Sequence, residues 1–343
     1  MTRPPLHILF AASEAAPYAK TGGLADVVGA LPVALARLGH RITLVIPRYP
    51  SLDQSVYGFH PWATVDVPTF RGVFHTTIER ASTSHSGVDV LAVRHDPYFW
   101  RSGLYQAQGK DYPDNLERFA FFCRAVLQVS LRLKELLGLE ASLLHLHDWQ
   151  TALCAAYLAT DGTRSLSAAP LPTLFTIHNL GYQGLFPAAE FTQTGLPPSV
   201  FSPSGVEYYG QVNVMKAGLM YADFLSTVSP TYSEEIQTPE YGCGLEGVVA
   251  ERRSRLVGIV NGIDDQAWDP RTDPHLVAHY DPGDLSGKVL CKRALQQECG
   301  LPVRDVPVLG IVSRFTWQKG LDLVLSILPE LMELDLQVIL LCS

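Results

Sequence analysis

Short unbroken apolar runs alternate along this chain with longer segments whose apolar residues recur every three or four positions. The first run, His7–Ala12, is short enough for a buried strand. Leu24, Val27, Val28, Leu31, Leu35 and Leu38 then mark one face of a helix that Gly39 closes, and Arg41–Ile46 is a β-branched strand before Pro47. A strand–helix–strand unit of this length dictates a right-handed parallel crossover, and hence a sheet covered on both faces. The alternation continues, with strands predicted at Val88–Val93, Leu143–Leu146, Thr173–Ile177, Phe224–Val228 and Leu256–Val260. Helices are predicted over Leu116–Leu137 and Thr151–Ala159. The pattern predicts a doubly wound α/β domain over residues 1–265.

Residues 270–284 are rich in Pro, Asp and His and carry little periodic apolar pattern, so 266–300 reads as a linker followed by a helix at Lys288–Cys299. Val308–Ser313 is a new strand, Leu321–Leu334 a helix and Gln337–Leu341 a second strand. Residues 301–343 therefore open a second domain. One strand–helix–strand unit is too little to bury both faces of an open parallel sheet, so that domain is expected to be incomplete.

Charge and cysteine usage narrow the function classes. The 343 residues carry a formal net charge of −8, which argues against sequence-independent binding to nucleic acid or to an anionic membrane surface. It leaves an anionic small-molecule substrate open. Six cysteines are scattered without a C-x-x-C pair, which reads as a reduced, cytoplasmic chain rather than a zinc cage or a disulfide framework. No apolar stretch approaches the roughly 20 residues that span a bilayer. The run Leu6–Ala12 is short for a signal peptide, and Glu14 follows it at once.

In open parallel sheets ligands bind at the carboxyl ends of the strands, so the loops after each strand are the informative ones. After the first comes Lys20-Thr21-Gly22-Gly23-Leu24-Ala25-Asp26, two glycines opening a helix. They would let backbone N–H groups approach an anion, although a flexible connection fits them equally well. The G-x-G-x-x-G at Gly242–Gly247 follows no strand and so lacks the setting of a dinucleotide fingerprint. His145 and His147 alternate onto one face beside Asp148, but no third metal ligand is visible at a fitting spacing. Asp148 and Trp149 read as pocket-shaping residues, and His178 as a pocket residue or a satisfied buried histidine. Arg314 and Lys319 follow the second domain's first strand, where a planar fork and a point charge suit a diphosphate; a solvated basic loop is the alternative. There is no nucleophile elbow and no interpretable pair of carboxylates.

Taken together these segments resemble the glycogen/starch synthase family of glycosyltransferases, from Ile8 to Leu341. The resemblance rests on Ser13-Glu14-Ala15-Ala16-Pro17 with Lys20–Val27, His147-Asp148-Trp149, His178-Asn179-Leu180, and Tyr209–Asn213 with Lys216-Ala217-Gly218. Thr227–Tyr232, Asn261-Gly262-Ile263-Asp264, and Ser313-Arg314 with Gln318-Lys319-Gly320 complete it. It implies a GT-B architecture, two Rossmann-like domains facing a cleft, and no metal or other cofactor. The implied reaction is retaining transfer of glucose from ADP-glucose to the non-reducing end of an α-1,4-glucan such as glycogen. By resemblance, Lys20, Gly22, Gly23 and Asp26 lie by the donor, joined by Asn261. His178 would contact the transferred glucose, Arg314 and Lys319 would hold the leaving diphosphate, and Tyr105 and Asp148 would line the cleft. Two departures stand out. Val214 replaces a common aromatic, and the family's pair of Glu separated by seven residues would lie beyond Ser343, so that turnover by the chain as written is put in doubt. The alternatives are a non-catalytic glucan-binding fragment and another GT-B enzyme that uses UDP-glucose.

Overall fold

A computed structural model describes residues 4–52, 54–82, 87–160 and 171–342. The chain divides into two compact units, Met1–Gly262 and Ile263–Ser343. In the first unit, strands β1 (His7–Ala11) and β2 (Arg41–Pro47) flank helix α1 (Gly23–Arg37). There follow β3 (His60–Thr69), β4 (Gly72–Arg80), β5 (Val88–Arg94), α2 (Asn115–Leu137), β6 (Leu143–His147), α3 (Trp149–Thr160) and β7 (Thr173–Ile177). Helix α4 (Val214–Tyr221), β8 (Phe224–Thr227), α5 (Pro230–Glu235), α6 (Glu246–Glu251) and β9 (Leu256–Gly258) come next among its main elements.

These strands form one nine-stranded sheet in the order β9-β8-β7-β6-β1-β2-β5-β4-β3. Neighbours from β9 to β5 pair in parallel, as the crossover rule requires. Every residue of β1 is buried, because a central parallel strand is covered on both faces. Helix α3 is buried from Trp149 to Leu158 and packs between α2 and α4, which explains its lack of a polar face.

Two features depart from the sequence reading. The hairpin β3–β4 is absent from it, since its strands carry Thr, His, Asp and Arg rather than an apolar run. The usable signal was the alternation of buried Val65 and Val67 around exposed Asp66. Glu79 on β4 is buried against Arg48 at 2.7 Å and also meets Arg94 at 3.1 Å, locking the antiparallel edge to the parallel sheet. In the second unit, the single helix expected over Leu321–Leu334 is two short ones, α8 (Leu321–Ser326) and α9 (Leu328–Leu331). Pro329 lacks the N–H that a continuous helix needs there, and it fits only the first turn of the second piece.

The second unit also contains α7 (Ser286–Glu298) and the parallel pair β10 (Val308–Ser313) and β11 (Gln337–Cys342). Residues 270–284 form a succession of turns. Its interior includes two buried amides: Gln296 donates to Gln337 at 2.7 Å, and each also donates to a backbone carbonyl. Leu309, Val312, Phe315 and Leu341 are exposed.

Candidate active site

The loop after β1 turns back over α1, with the Ala16 N–H donating to the Ala25 carbonyl. This turn buries Glu14, a residue that sequence reading quoted within a motif and gave no role. Its carboxylate accepts from the Thr21 N–H at 2.5 Å, the Thr21 hydroxyl at 2.9 Å, the Gly22 N–H at 3.3 Å and the Tyr105 hydroxyl at 2.9 Å. Such saturation makes Glu14 an anchor for the start of α1 rather than a nucleophile. The detectable signal was a carboxylate directly behind a strand too apolar to end at the surface.

Gly22 and Gly23 face open space: a Cβ at either would touch nothing within 4 Å, and Gly22 has the extended φ of −163°. Neither packing nor backbone conformation calls for glycine here, which leaves the amino end of α1 open to a close ligand. Lys20 and Asp26 form a half-exposed ion pair at 2.6 Å beside it.

Tyr105 lies on the loop that precedes α2, and its hydroxyl meets Ser13 Oγ at 2.7 Å as well as Glu14. Burial, with the Glu14 charge beside it, pushes the phenol well above its ordinary range. Arg118, fully buried in α2, donates to the Tyr98 and Leu104 carbonyls and to Asn115 Oδ1, while Asn115 donates to the Tyr105 carbonyl.

Asp148 ends β6 in the left-handed region, φ 54°, and its N–H donates to the Thr176 carbonyl of β7. That turn sends its carboxylate across to accept the His178 N–H at 2.7 Å. Burial pushes the Asp148 carboxyl up to about 7, the backbone N–H groups of His178 and Asn179 oppose this, and the charge of Glu14 adds to it. The fold thus couples two buried carboxyl groups, Glu14 and Asp148, that the sequence reading did not pair. Trp149 beside them packs under Gly184, whose φ of 62° and a ring atom 2.5 Å from any added Cβ require glycine.

His178, at the end of β7, places Nε2 3.0 Å from His147 Nδ1. His145 and His147 share a face as alternation predicts, with ring centroids 4.2 Å apart, and His145 bonds Thr176 Oγ1 at 2.7 Å. Burial lowers all three imidazoles: His178 to about 4, His145 to about 3 and His147 well below its ordinary value. All three are neutral at pH 7. Among the described residues no group of three or more His, Cys, Asp or Glu is placed to hold a metal ion.

The carboxyl edge of the large sheet therefore gathers Glu14, Tyr105, Asp148 and His178, with Lys20, Gly22, Gly23 and Asp26 tied to it through Thr21. Asn261 lies exposed beyond β9, at the edge of the sheet, and makes no contact with this cluster among the described interactions. Gly242–Gly247 runs into the first turn of α6 and follows no strand; Gly244, at φ 80°, leaves room for the Tyr208 hydroxyl. In the second unit Arg314 and Lys319 are both exposed on the loop between β10 and α8. The Lys319 N–H donates to the Thr316 carbonyl, and Gly320 turns the chain into α8 at φ 66°.

Residues 7–251 match the family model described as the starch synthase catalytic domain. The chain is 48% identical over 342 residues to the glycogen synthase of Anaeromyxobacter dehalogenans strain 2CP-C, covering 98% of this chain and 70% of that protein. It is 44% identical to glycogen synthase 2 of Geobacter sulfurreducens, covering 98% and 69%. The catalytic domain of starch synthase IV from Arabidopsis thaliana, solved bound to ADP and acarbose, aligns with a TM-score of 0.87 at 32% identity, over 99% of this chain and 69% of that one. Among the described residues no helix is long and apolar enough to cross a membrane. Sequence, fold and the clustered strand ends agree: the chain belongs to the glycogen/starch synthase family of GT-B glycosyltransferases, with glycogen synthase function.

Proposed function

We propose that the donor is ADP-glucose, that the acceptor is the non-reducing end of an α-1,4-glucan, and that transfer proceeds with retention in the cytoplasm. The observation that carries this reading is the cluster of buried Glu14 and Asp148 with the partly covered Tyr105 and His178, beside the open-faced Gly22-Gly23 start of α1. ADP bound in the starch synthase IV structure supports ADP over UDP as the nucleotide.

The chemistry follows from charge. Breaking a glycosyl–phosphate bond leaves positive charge on the sugar and negative charge on the departing diphosphate. Preorganised donors and cations aimed at the latter are the large stabilising term. Arg314 and Lys319 have the sign and shape for the diphosphate, and the N–H groups opening α1 for an anionic or hydroxyl oxygen of the donor. A neutral His178 contacts the sugar without adding like charge to an electron-poor carbon. Asp148, held by the His178 N–H, fixes that contact.

Glucose incorporation into glycogen by the full-length protein, compared between ADP-glucose and UDP-glucose, tests this. Preference for ADP-glucose is expected; equal or better use of UDP-glucose overturns the donor assignment, and glucan binding without turnover from either donor supports the non-catalytic reading.

A further inference from the structure

His147 contributes no donor or acceptor to the open side of the site, yet it is the most enclosed of the three imidazoles. It is fully buried at the end of β6, with its ring stacked on Phe10 at 5.6 Å and 16° and tilted against His145. One nitrogen, Nδ1, lies 3.0 Å from His178 Nε2. The other, Nε2, is buried with no hydrogen-bond partner. That asymmetry decides where the protons sit.

Two neutral imidazoles in contact share one proton between the facing nitrogens, so one ring donates and the other accepts. If His178 donated from Nε2, His147 would have to carry its own proton on Nε2. It would then hold a buried N–H with no acceptor, the kind of orphan that folded proteins almost never keep. If instead His147 donates from Nδ1, its Nε2 keeps only an unused lone pair, an acceptor left unmet, which is better tolerated. A doubly protonated His147 would bury both an orphan N–H and an uncompensated charge. The second arrangement is the one that the packing favours, and it fixes the partner. With Nε2 accepting, His178 must carry its proton on Nδ1. That nitrogen has no partner among the described residues, and the side chain is only partly covered.

We propose that His147 is a positioning residue that locks His178 in the Nδ1–H tautomer, so that His178 offers the substrate a neutral N–H donor matched to a sugar hydroxyl. The tautomer stands on the packing alone; only its use on a sugar hydroxyl rests on the reading of His178 given above. Asp148 supplies the second constraint by holding the His178 backbone N–H at 2.7 Å. Ring orientation and proton location are then both set before any ligand arrives, by groups that need not touch it.

Nitrogen-15 NMR of the imidazoles tests this on the purified chain without substrate, with the His178 resonances assigned by their loss in His178→Gln. The expected spectrum shows His178 with a protonated, pyrrole-type Nδ1 and a bare, pyridine-type Nε2 at pH 7. The opposite pattern overturns the proposal, whatever the donor specificity turns out to be. His147→Phe keeps an aromatic ring but loses the Nδ1–H and should release His178 toward the Nε2–H tautomer. In the full-length protein it should also lower kcat by about 10–100-fold with little change in donor KM. His147→Asn, whose amide nitrogen stands where Nδ1 stood, should restore the His178 tautomer and part of kcat. A His147→Phe protein with an unchanged His178 spectrum would contradict the mechanism. Should either variant fail to fold, the unsubstituted protein's spectrum still decides.

Discussion

The two units place their candidate residues in opposite settings. In the first, Glu14, Asp148 and the three histidines lie at or near strand ends, each held by named partners, and burial has raised the Asp148 carboxyl and lowered the three imidazoles. In the second, Arg314 and Lys319 stand exposed on a loop shaped by local turn bonds. The first arrangement fixes geometry before a ligand arrives and discriminates by hydrogen bonds. The second supplies charge, which long flexible side chains can bring to a diphosphate and which salt can screen. Sugar chemistry and leaving-group chemistry have different physical requirements, and on the proposed assignment the buried residues would serve the first and the exposed cations the second.

The sharpest way to break the contrast is through its ion pairs. Glu79→Ala leaves Arg48 buried without its carboxylate, which should cost about 3–5 kcal/mol in chemical denaturation of the first unit. A loss under 1 kcal/mol would mean that the buried edge tolerates an unpaired cation and is less rigid than described.

Acid tests the buried histidines. Free imidazoles titrate near 6.5, whereas His178 and His145 fold with values of about 4 and about 3. Between pH 6.5 and 4 the unfolded chain binds more protons, so stability is full above 6.5 and falls as pH drops, by about 1.4 kcal/mol per unit for each imidazole. Asp148 works the other way. Raised to about 7, it contributes stability below its unfolded value, and that contribution is lost as pH rises through 7. Three lowered imidazoles outweigh one raised carboxyl, so denaturation at pH 5 should show a less stable protein than at pH 6.5. Equal or greater stability at pH 5 would place these histidines in water. The smallest effect belongs to the second unit: Arg304→Ala removes an exposed contact to Asp335 at 2.5 Å and should change stability by at most about 1 kcal/mol.

The parallel half of the sheet was legible because strands buried on both faces are unbroken apolar runs, as in β1 and β2. The hairpin β3–β4 was not, since a one-sided edge strand mixes Thr, His and Asp into its pattern. The break at Pro329 was readable in principle, but the apolar spacing on either side of it masked the boundary. Site residues followed the same logic. Lys20, Gly22, Gly23, Asp26, Asp148 and His178 could be singled out as candidates because strand-end loops are where parallel sheets bind ligands. Their mutual contacts could not, because His147 and His178 are 31 residues apart and meet only through the β6–β7 pairing. Glu14 was given no role because its one signal, a carboxylate close behind an apolar strand, does not say what would hold it until the loop over α1 is seen.

Calorimetric titration of ADP into the full-length protein tests the division of labour most directly. The account predicts that His178→Gln binds ADP as tightly as the unsubstituted protein while losing turnover, and that the double variant Arg314→Ala, Lys319→Ala loses about tenfold or more in ADP affinity. Unchanged ADP binding in the double variant, or an equal loss in both, would contradict it.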